Sequence, residues 1–387
     1  MYGLVLEGGG AKGAYQIGSY FALRELGFEF EAVVGTSIGA LNGALIAMGE
    51  PEKCAKMWKT LSFENFPTKE TGEESIDNFD ELKNFPIKEP VDIMELLKQK
   101  ATGFIKQRQI SSEPLKQLVE EYIDEDKIRN SNMNYGLVTL NVSDKIGEEL
   151  YLKDVPYGKL KNYIVASAYF PLFQLEPIDG KYYLDGGLYD NIPYTMIQRL
   201  NLTPVIVRTN PNDLIDKFPE NAIVIAPKEK YTSAMDFNPV KSEEIMRIGY
   251  FDTYKKINGL FGDKYYIEKF DEDEAFKAIE DLFFEKIEVV DLSGFKNNSK
   301  YRVLFEEIIP TVASELGLIS KFTYVDFLVA FLEREANDIK LDYLKIYSLE
   351  ELVEDIKNHN IRLDEKTIKG KKLNELVRKI LDKNENK

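Results

Sequence analysis

Gly35-Thr36-Ser37-Ile38-Gly39 sets a serine between two glycines, the Gly-x-Ser-x-Gly spacing of a nucleophile elbow. On such a strand-to-helix turn the hydroxyl is exposed and attacks acyl carbonyls once a base removes its proton. That base is usually a histidine. This chain of 387 residues has a single histidine, His359, close to its far end. Either the pattern marks only a tight turn or another side chain takes the proton.

Two more stretches carry potential chemistry. Gly8-Gly9-Gly10-Ala11-Lys12-Gly13 follows an apolar run and opens a helical one. Backbone N–H groups and the helix dipole at such a place favour an anion. The spacing Gly-x-Gly-x-x-Gly is also the dinucleotide fingerprint, with Glu29 or Glu31 about twenty residues on. It is not a P-loop, which needs Lys and then Ser or Thr after its last glycine, where this chain has Ala14-Tyr15. A third use is an oxyanion hole, the anion being the alkoxide of a tetrahedral intermediate. Lys12 either lends positive charge there or faces solvent. Asp185-Gly186-Gly187 by itself reads as a turn, since Asp-Gly is a hairpin signal. Pro193, shortly after it, is placed to start a helix.

The elements around these motifs suit them. Residues 2–6 form a short apolar strand, 8–13 a glycine loop, and 14–26 a helix that stops before Gly27. Residues 32–34 are a second strand and 38–48 a helix of small residues, the setting that an elbow requires. Strands are expected again over 134–141, 148–152, 181–184, 204–208 and 222–225, and a helix over 157–168. Strands alternating with helices imply a parallel sheet. Residues 61–110 are irregular and read as a cap- or lid-like insertion. After residue 235 the texture becomes that of charged amphipathic helices (241–257, 272–284, 302–316, 324–336 and 349–357). The expected division is therefore 1–235 for an α/β domain and 236–387 for a mainly helical region.

Composition narrows the partners. A hydrophobic content of 44% with 30% charge is ordinary for a globular protein. The net charge of -16 argues against nucleic acid and against electrostatic attraction to anionic lipid. Cys54, the single cysteine, excludes an internal disulfide and fits a reducing, cytoplasmic setting. Residues 1–6 lack the basic start of a signal peptide. Residues 32–49 are uncharged, yet they hold four glycines and read as strand, turn and helix rather than a span. One histidine and one cysteine offer no zinc set. The acidic runs 124–126 and 271–274 lack a calcium loop's spacing and read as solvated faces.

Taken in order, the glycine loop, the elbow and Asp185-Gly186-Gly187 resemble the patatin-like phospholipase family, over about residues 1–210. Its pattern is a Gly-Gly-Gly-x-Lys/Arg-Gly loop, a Gly-x-Ser-x-Gly elbow and a later Asp-Gly-Gly or Asp-Gly-Ala. Ala166-Ser167, with Pro171 a few residues on, is similar to a fourth block. The resemblance implies a three-layer α/β fold, a parallel-rich central sheet flanked by helices, with the helical C-terminal region outside the pattern. It implies a Ser–Asp dyad, with Ser37 as nucleophile and Asp185 as base, and no metal or cofactor. An ordinary aspartate, with a pKa of about 4, is a weak base for a hydroxyl. Partial burial and a strong oxyanion site both lessen the demand on it. Gly8 to Gly13 would form that site, with the N–H groups of Gly9, Gly10 and Ala11 as donors. Gly35 and Gly39 would shape the elbow, with Ile38, Gly186 and Gly187 in support. The implied substrate is a fatty-acyl ester of a lipid or phospholipid, reached by transient peripheral contact with a membrane. A dinucleotide-binding oxidoreductase and a non-catalytic scaffold remain as other readings.

Overall fold

The computed structural model describes residues 1–62, 111–171, 173, 176–211, 217–287, 299–318 and 321–359. Most of the expected cap, from residue 63 to 110, lies outside them. The chain divides into two compact units, Met1–Lys256 and Ile257–Lys387.

The first unit is built on a seven-stranded sheet, ordered β4-β3-β2-β1-β6-β7 with β5 added on β3. The strands are β1 (Tyr2–Leu6), β2 (Phe30–Thr36), β3 (Asn134–Asn141), β4 (Ile146–Tyr151), β5 (Tyr183–Asp185), β6 (Thr203–Val207) and β7 (Ile223–Ile225). The β2-β1-β6-β7 and β2-β3 pairings are parallel, while β4 and β5 run antiparallel to β3. The central strands are continuous apolar runs because both faces are covered. On one face lies α2 (Ile38–Ala47), where Gly43 packs against Val33, Leu6 and Tyr135. On the other lies α7 (Tyr194–Arg199), whose Met196 and Ile197 join Val5, Val34, Val138 and Ile206 in one cluster. The fold is thus the expected parallel-rich α/β sheet between helical layers.

Among the described residues, the remaining α-helices of this unit are α1 (Ala14–Glu25), α3 (Pro51–Thr60), α4 (Glu113–Tyr122), α5 (Glu125–Arg129), α6 (Leu160–Ser167) and α8 (Pro239–Asn258). The strongly amphipathic α4 and the short α5 were not read from the sequence. The acidic run 124–126 is more than a solvated face. Asp124 caps α5 by accepting from the Lys127 N–H, and Glu125 accepts from the N–H groups of Gly158 and Leu160 at the start of α6. Likewise Asp271 accepts from the Asp273 and Glu274 N–H groups, capping the helix that follows. The Asp185-Gly186 pair is no hairpin turn, since β5 ends there against β3. Helix α8 packs on α1 through small residues: a Cβ on Gly18 would run into the Met246 carbonyl, and the Ser19 hydroxyl lies 3.1 Å from the Gly249 carbonyl. The expected boundary at 235/236 falls just ahead of this helix.

The second unit is mainly helical, with its own core of Phe327, Phe331, Leu332, Ile279, Leu304 and Leu352 among others. A two-stranded parallel ladder, Tyr266–Ile267 with Ile346–Tyr347, joins its helices. The helix expected over 302–316 is interrupted by a π-turn at Leu304–Ile308. Pro310, which follows, has no N–H to give to a preceding carbonyl, so the regular hydrogen-bond series breaks there. No helix among the described residues is long and apolar enough to cross a membrane. The uncharged run 32–49 is divided between β2, the turn at Ser37 and α2.

Candidate active site

Ser37 is the single residue between β2 and α2. Its backbone stands at φ 57°, ψ -125°, a region that L-residues avoid. The flanking glycines follow from how closely the helix meets the sheet. A Cβ on Gly39 would run into the Leu6 carbonyl, and one on Gly35 into the first turn of α2. The turn is braced from a distance. The Ser37 N–H donates to Ser167 Oγ at 2.9 Å, and Ser167 Oγ donates to the Val138 carbonyl at 2.6 Å.

The sheet register brings the carboxylate to the serine. β2 pairs with β3 as far as Thr36 opposite Val138. β4 occupies the opposite edge of β3, so β5 must continue on the edge where β2 stops, beginning with Asp185 opposite Thr139. The ends of β2 and β5 therefore meet head to head. The Ser37 hydroxyl donates to Asp185 Oδ2 at 2.6 Å across 148 positions of sequence. The other oxygen, Oδ1, accepts from the Gly187 N–H at 2.8 Å. Both side chains are mostly covered, Ser37 at 9% and Asp185 at 4% exposure. His359 ends a helix of the second unit, its Nδ1 lying 2.8 Å from the Asp355 carbonyl.

The glycine loop differs in detail from the expectation. Residues Gly10–Gly13 form a 3-10 turn rather than an open loop. The Gly8 N–H donates to the Asn191 carbonyl at 3.2 Å, the Ala11 N–H to the Ala234 carbonyl at 2.8 Å, and the Lys12 N–H to the Gly9 carbonyl at 3.3 Å. These three groups, Ala11 included, are already engaged. The N–H groups of Gly9 and Gly10 have no partner among the described residues, and both residues line the cleft beside Ser37. Gly10 stands at φ 59° with Ala234 pressed against it, which admits no side chain. Ile38, first in α2, also brings an N–H that no helical carbonyl reaches. Lys12 is buried at 6% exposure, with Nζ 2.5 Å from Asn210 Oδ1, so it does not face solvent. Gly13 turns its carbonyl to Asn42 Nδ2, 3.0 Å away.

The dinucleotide geometry is not met. Glu29 and Glu31 flank the start of β2, while the glycine loop follows the end of the parallel strand β1. A strand's length, roughly 13 Å, lies between them. An acidic residue that binds a ribose belongs at the same end of the sheet as the glycines.

The cleft over Ser37 is apolar. Leu61, Leu115, Leu118, Phe170, Phe173, Met235 and Phe237 line it, together with Asn191. Phe170 and Phe173 come from the segment that follows α6. Leu115 and Leu118 come from α4. Sequence reasoning also missed a polar support behind the loop. Glu7 is buried at 2% exposure and paired with Arg208 at 3.0 Å. No spacing in the sequence names its partner, because Arg208 stands 201 positions away. Asp190, which follows the Asp-Gly-Gly turn, is partly buried, and desolvation raises its carboxyl above the usual range.

Comparison with known proteins agrees with these motifs. A model of the patatin-like phospholipase family matches residues 4–197, half of the chain. Lysophospholipase nte1 of Aspergillus terreus is 58% identical over 45 residues, 12% of this chain and 3% of that protein. A patatin-like phospholipase domain-containing protein of Caenorhabditis elegans, ZK370.4, is likewise 58% identical over 45 residues, 12% of this chain and 3% of its own. The matched stretch is thus a small part of these much longer relatives. Among solved structures, VipD from Legionella pneumophila aligns at 16% identity and a TM-score of 0.42, covering 93% of this chain and 86% of that one. With its glycine loop, elbow and Asp-Gly-Gly turn inside the matched residues, this chain belongs to the patatin-like phospholipase family.

Proposed function

We propose that the protein is a serine acyl hydrolase that cleaves fatty-acyl esters of phospholipids or related lipids through Ser37 and Asp185. The observation that carries this reading is the 2.6 Å hydrogen bond between the two side chains, beside the open N–H groups of Gly9 and Gly10. In the first step Ser37 Oγ attacks the ester carbonyl carbon and its proton passes to Asp185 Oδ2. The carbonyl oxygen, now an alkoxide, takes hydrogen bonds from Gly9 and Gly10, with Ile38 as a further donor. Asp185 returns the proton to the leaving alcohol as the tetrahedral intermediate collapses to an acyl-enzyme. Water then attacks that ester, giving its proton to Asp185, and a second collapse, with Asp185 handing that proton to the departing Ser37 Oγ, frees the fatty acid and restores both residues. The Gly187 N–H keeps Asp185 Oδ1 occupied, so Oδ2 faces the serine throughout. The apolar lining supports an acyl chain as the group bound, and the lysophospholipase name of the Aspergillus relative supports a lipid ester.

The test is hydrolysis of a short-chain nitrophenyl ester by the parent protein and by Ser37→Ala and Asp185→Asn. Loss of more than about 10³-fold in kcat is expected for each, as for other nucleophile and base deletions. A fluorophosphonate should label Ser37 alone. Parent-like turnover in either variant, or a label on another residue, refutes the assignment.

A further inference from the structure

Glu7 is a buried carboxylate on which donors from Arg208, Thr209, Asn210 and Asn191 converge. Its Oε2 accepts from Arg208 Nε at 3.0 Å and from the Thr209 N–H at 2.6 Å, and its Oε1 from Asn191 Nδ2 at 3.1 Å. The mechanism proposed above does not use it, and burying a charge is costly. Its neighbours point to a purpose. Asn191 Nδ2 carries two hydrogens; besides Glu7 it reaches the Gly8 carbonyl at 3.3 Å. The Thr209 hydroxyl has a single hydrogen and lies 3.0 Å from the same carbonyl and 3.2 Å from Glu7 Oε2; we take it to donate to the nearer, the Gly8 carbonyl. Asn191 also accepts the Gly8 N–H through its own carbonyl, at 3.2 Å.

The Gly8 carbonyl oxygen thus has two donors, each anchored to Glu7. In a trans peptide the C=O of one residue and the N–H of the next point in opposite directions. Holding the Gly8 oxygen toward Asn191 and Thr209 turns the Gly9 N–H away from them. Gly9 lines the cleft next to Ser37. Without such a brace, a glycine pair would let this peptide plane rotate.

We propose that Glu7 is a positioning residue. Through Asn191 and Thr209 it fixes the Gly8–Gly9 peptide so that the Gly9 N–H is aimed at the developing oxyanion. This inference rests on the hydrolase reading and assigns the loop's preorganisation to one buried charge. Glutamine cannot replace it. A carboxamide offers one oxygen and one NH2, and the NH2 must meet either Asn191 Nδ2 or the Arg208 and Thr209 donors.

The experiment compares a nitrophenyl oxoester with its thionoester, using the full chain and Glu7→Gln. A sulfur anion accepts N–H hydrogen bonds weakly, so its reaction depends little on how the donors are aimed. For Glu7→Gln the oxoester kcat should fall by about 10- to 100-fold with KM nearly constant, and the thionoester rate should stay within about threefold of the parent. A merely structural role lowers both rates by one factor, and that result overturns the proposal, as does parent-like oxoester turnover. If Glu7→Gln fails to fold, Thr209→Val carries the test, because it removes one donor to the Gly8 carbonyl and leaves the Thr209 N–H on Glu7. It should show the same oxoester-selective loss, smaller in size, and equal loss on both substrates refutes the idea. Ser37→Ala is run beside them. If it hydrolyses both esters like the parent, the underlying hydrolase reading has failed; if it is dead while Glu7→Gln matches the parent, only the positioning role has.

Discussion

Ser37 holds a backbone conformation that costs an L-residue about 1–3 kcal/mol, and the surrounding contacts must enforce it. The enforcing contacts are visible: the Ser167 and Asp185 hydrogen bonds, and α2 pressed to the strand ends at Gly39. The strain has a measurable consequence. Ser37→Ala and Ser37→Gly both delete the hydroxyl, but only glycine also deletes the Cβ that makes φ 57° unfavourable. Ser37→Gly should therefore be the more stable of the two by about 1 kcal/mol, even after glycine's greater freedom in the unfolded chain is counted. Urea unfolding midpoints of the two variants check this. An alanine variant as stable as the glycine one would mean that the turn stores no strain.

Among the elements, α6 does more than fill a layer. Glu125 of α5 caps its start, and Ser167 at its last turn links the elbow to β3. Ser167→Ala leaves the buried Ser37 N–H without an acceptor, which costs about 1–3 kcal/mol. If Ser37 is the nucleophile proposed above, the expected outcome is a lowered melting midpoint together with a kcat loss of roughly tenfold, because its hydroxyl loses its fixed place. A fully stable, fully active Ser167→Ala would show that the elbow needs no such brace. The sheet contributes a second element-level device. By ending both β2 and β5 at adjoining positions on one edge of β3, it sets hydroxyl and carboxylate in contact.

For the whole molecule, the first compact unit runs to Lys256 and contains nearly all of α8. That helix packs on α1 through contacts at Gly18, Ser19 and Gly249 too close to admit a larger residue. A chain ending at residue 235 would uncover this face, whereas one ending at 258 would keep it covered. The longer form should melt cooperatively and hydrolyse the nitrophenyl ester at close to the full-length rate. The shorter should aggregate or lose activity. Equal behaviour of the two forms would make α8 dispensable and favour the boundary at residue 235.

Local steric demands made part of this protein legible from its residues alone. Gly35 and Gly39 around a serine, the glycine loop after an apolar strand, and Asp185 before two glycines each report a backbone that tolerates few alternatives. Their order along the chain carried the family. The alternation of apolar strands and small-residue helices likewise announced a mostly parallel sheet. Other features depend on groups far apart in sequence, and only folding decides them. Which N–H groups of the glycine loop stay open is settled by the carbonyls of Asn191 and Ala234. What steadies the elbow is a hydroxyl 130 positions away. Whether Glu7 is a surface charge or the anchor of a polar network depends on Arg208, Thr209 and Asn191 converging on it. Hydrogen bonds of this kind have no period and no spacing, so no pattern in the chain announces them; a register between strands creates them.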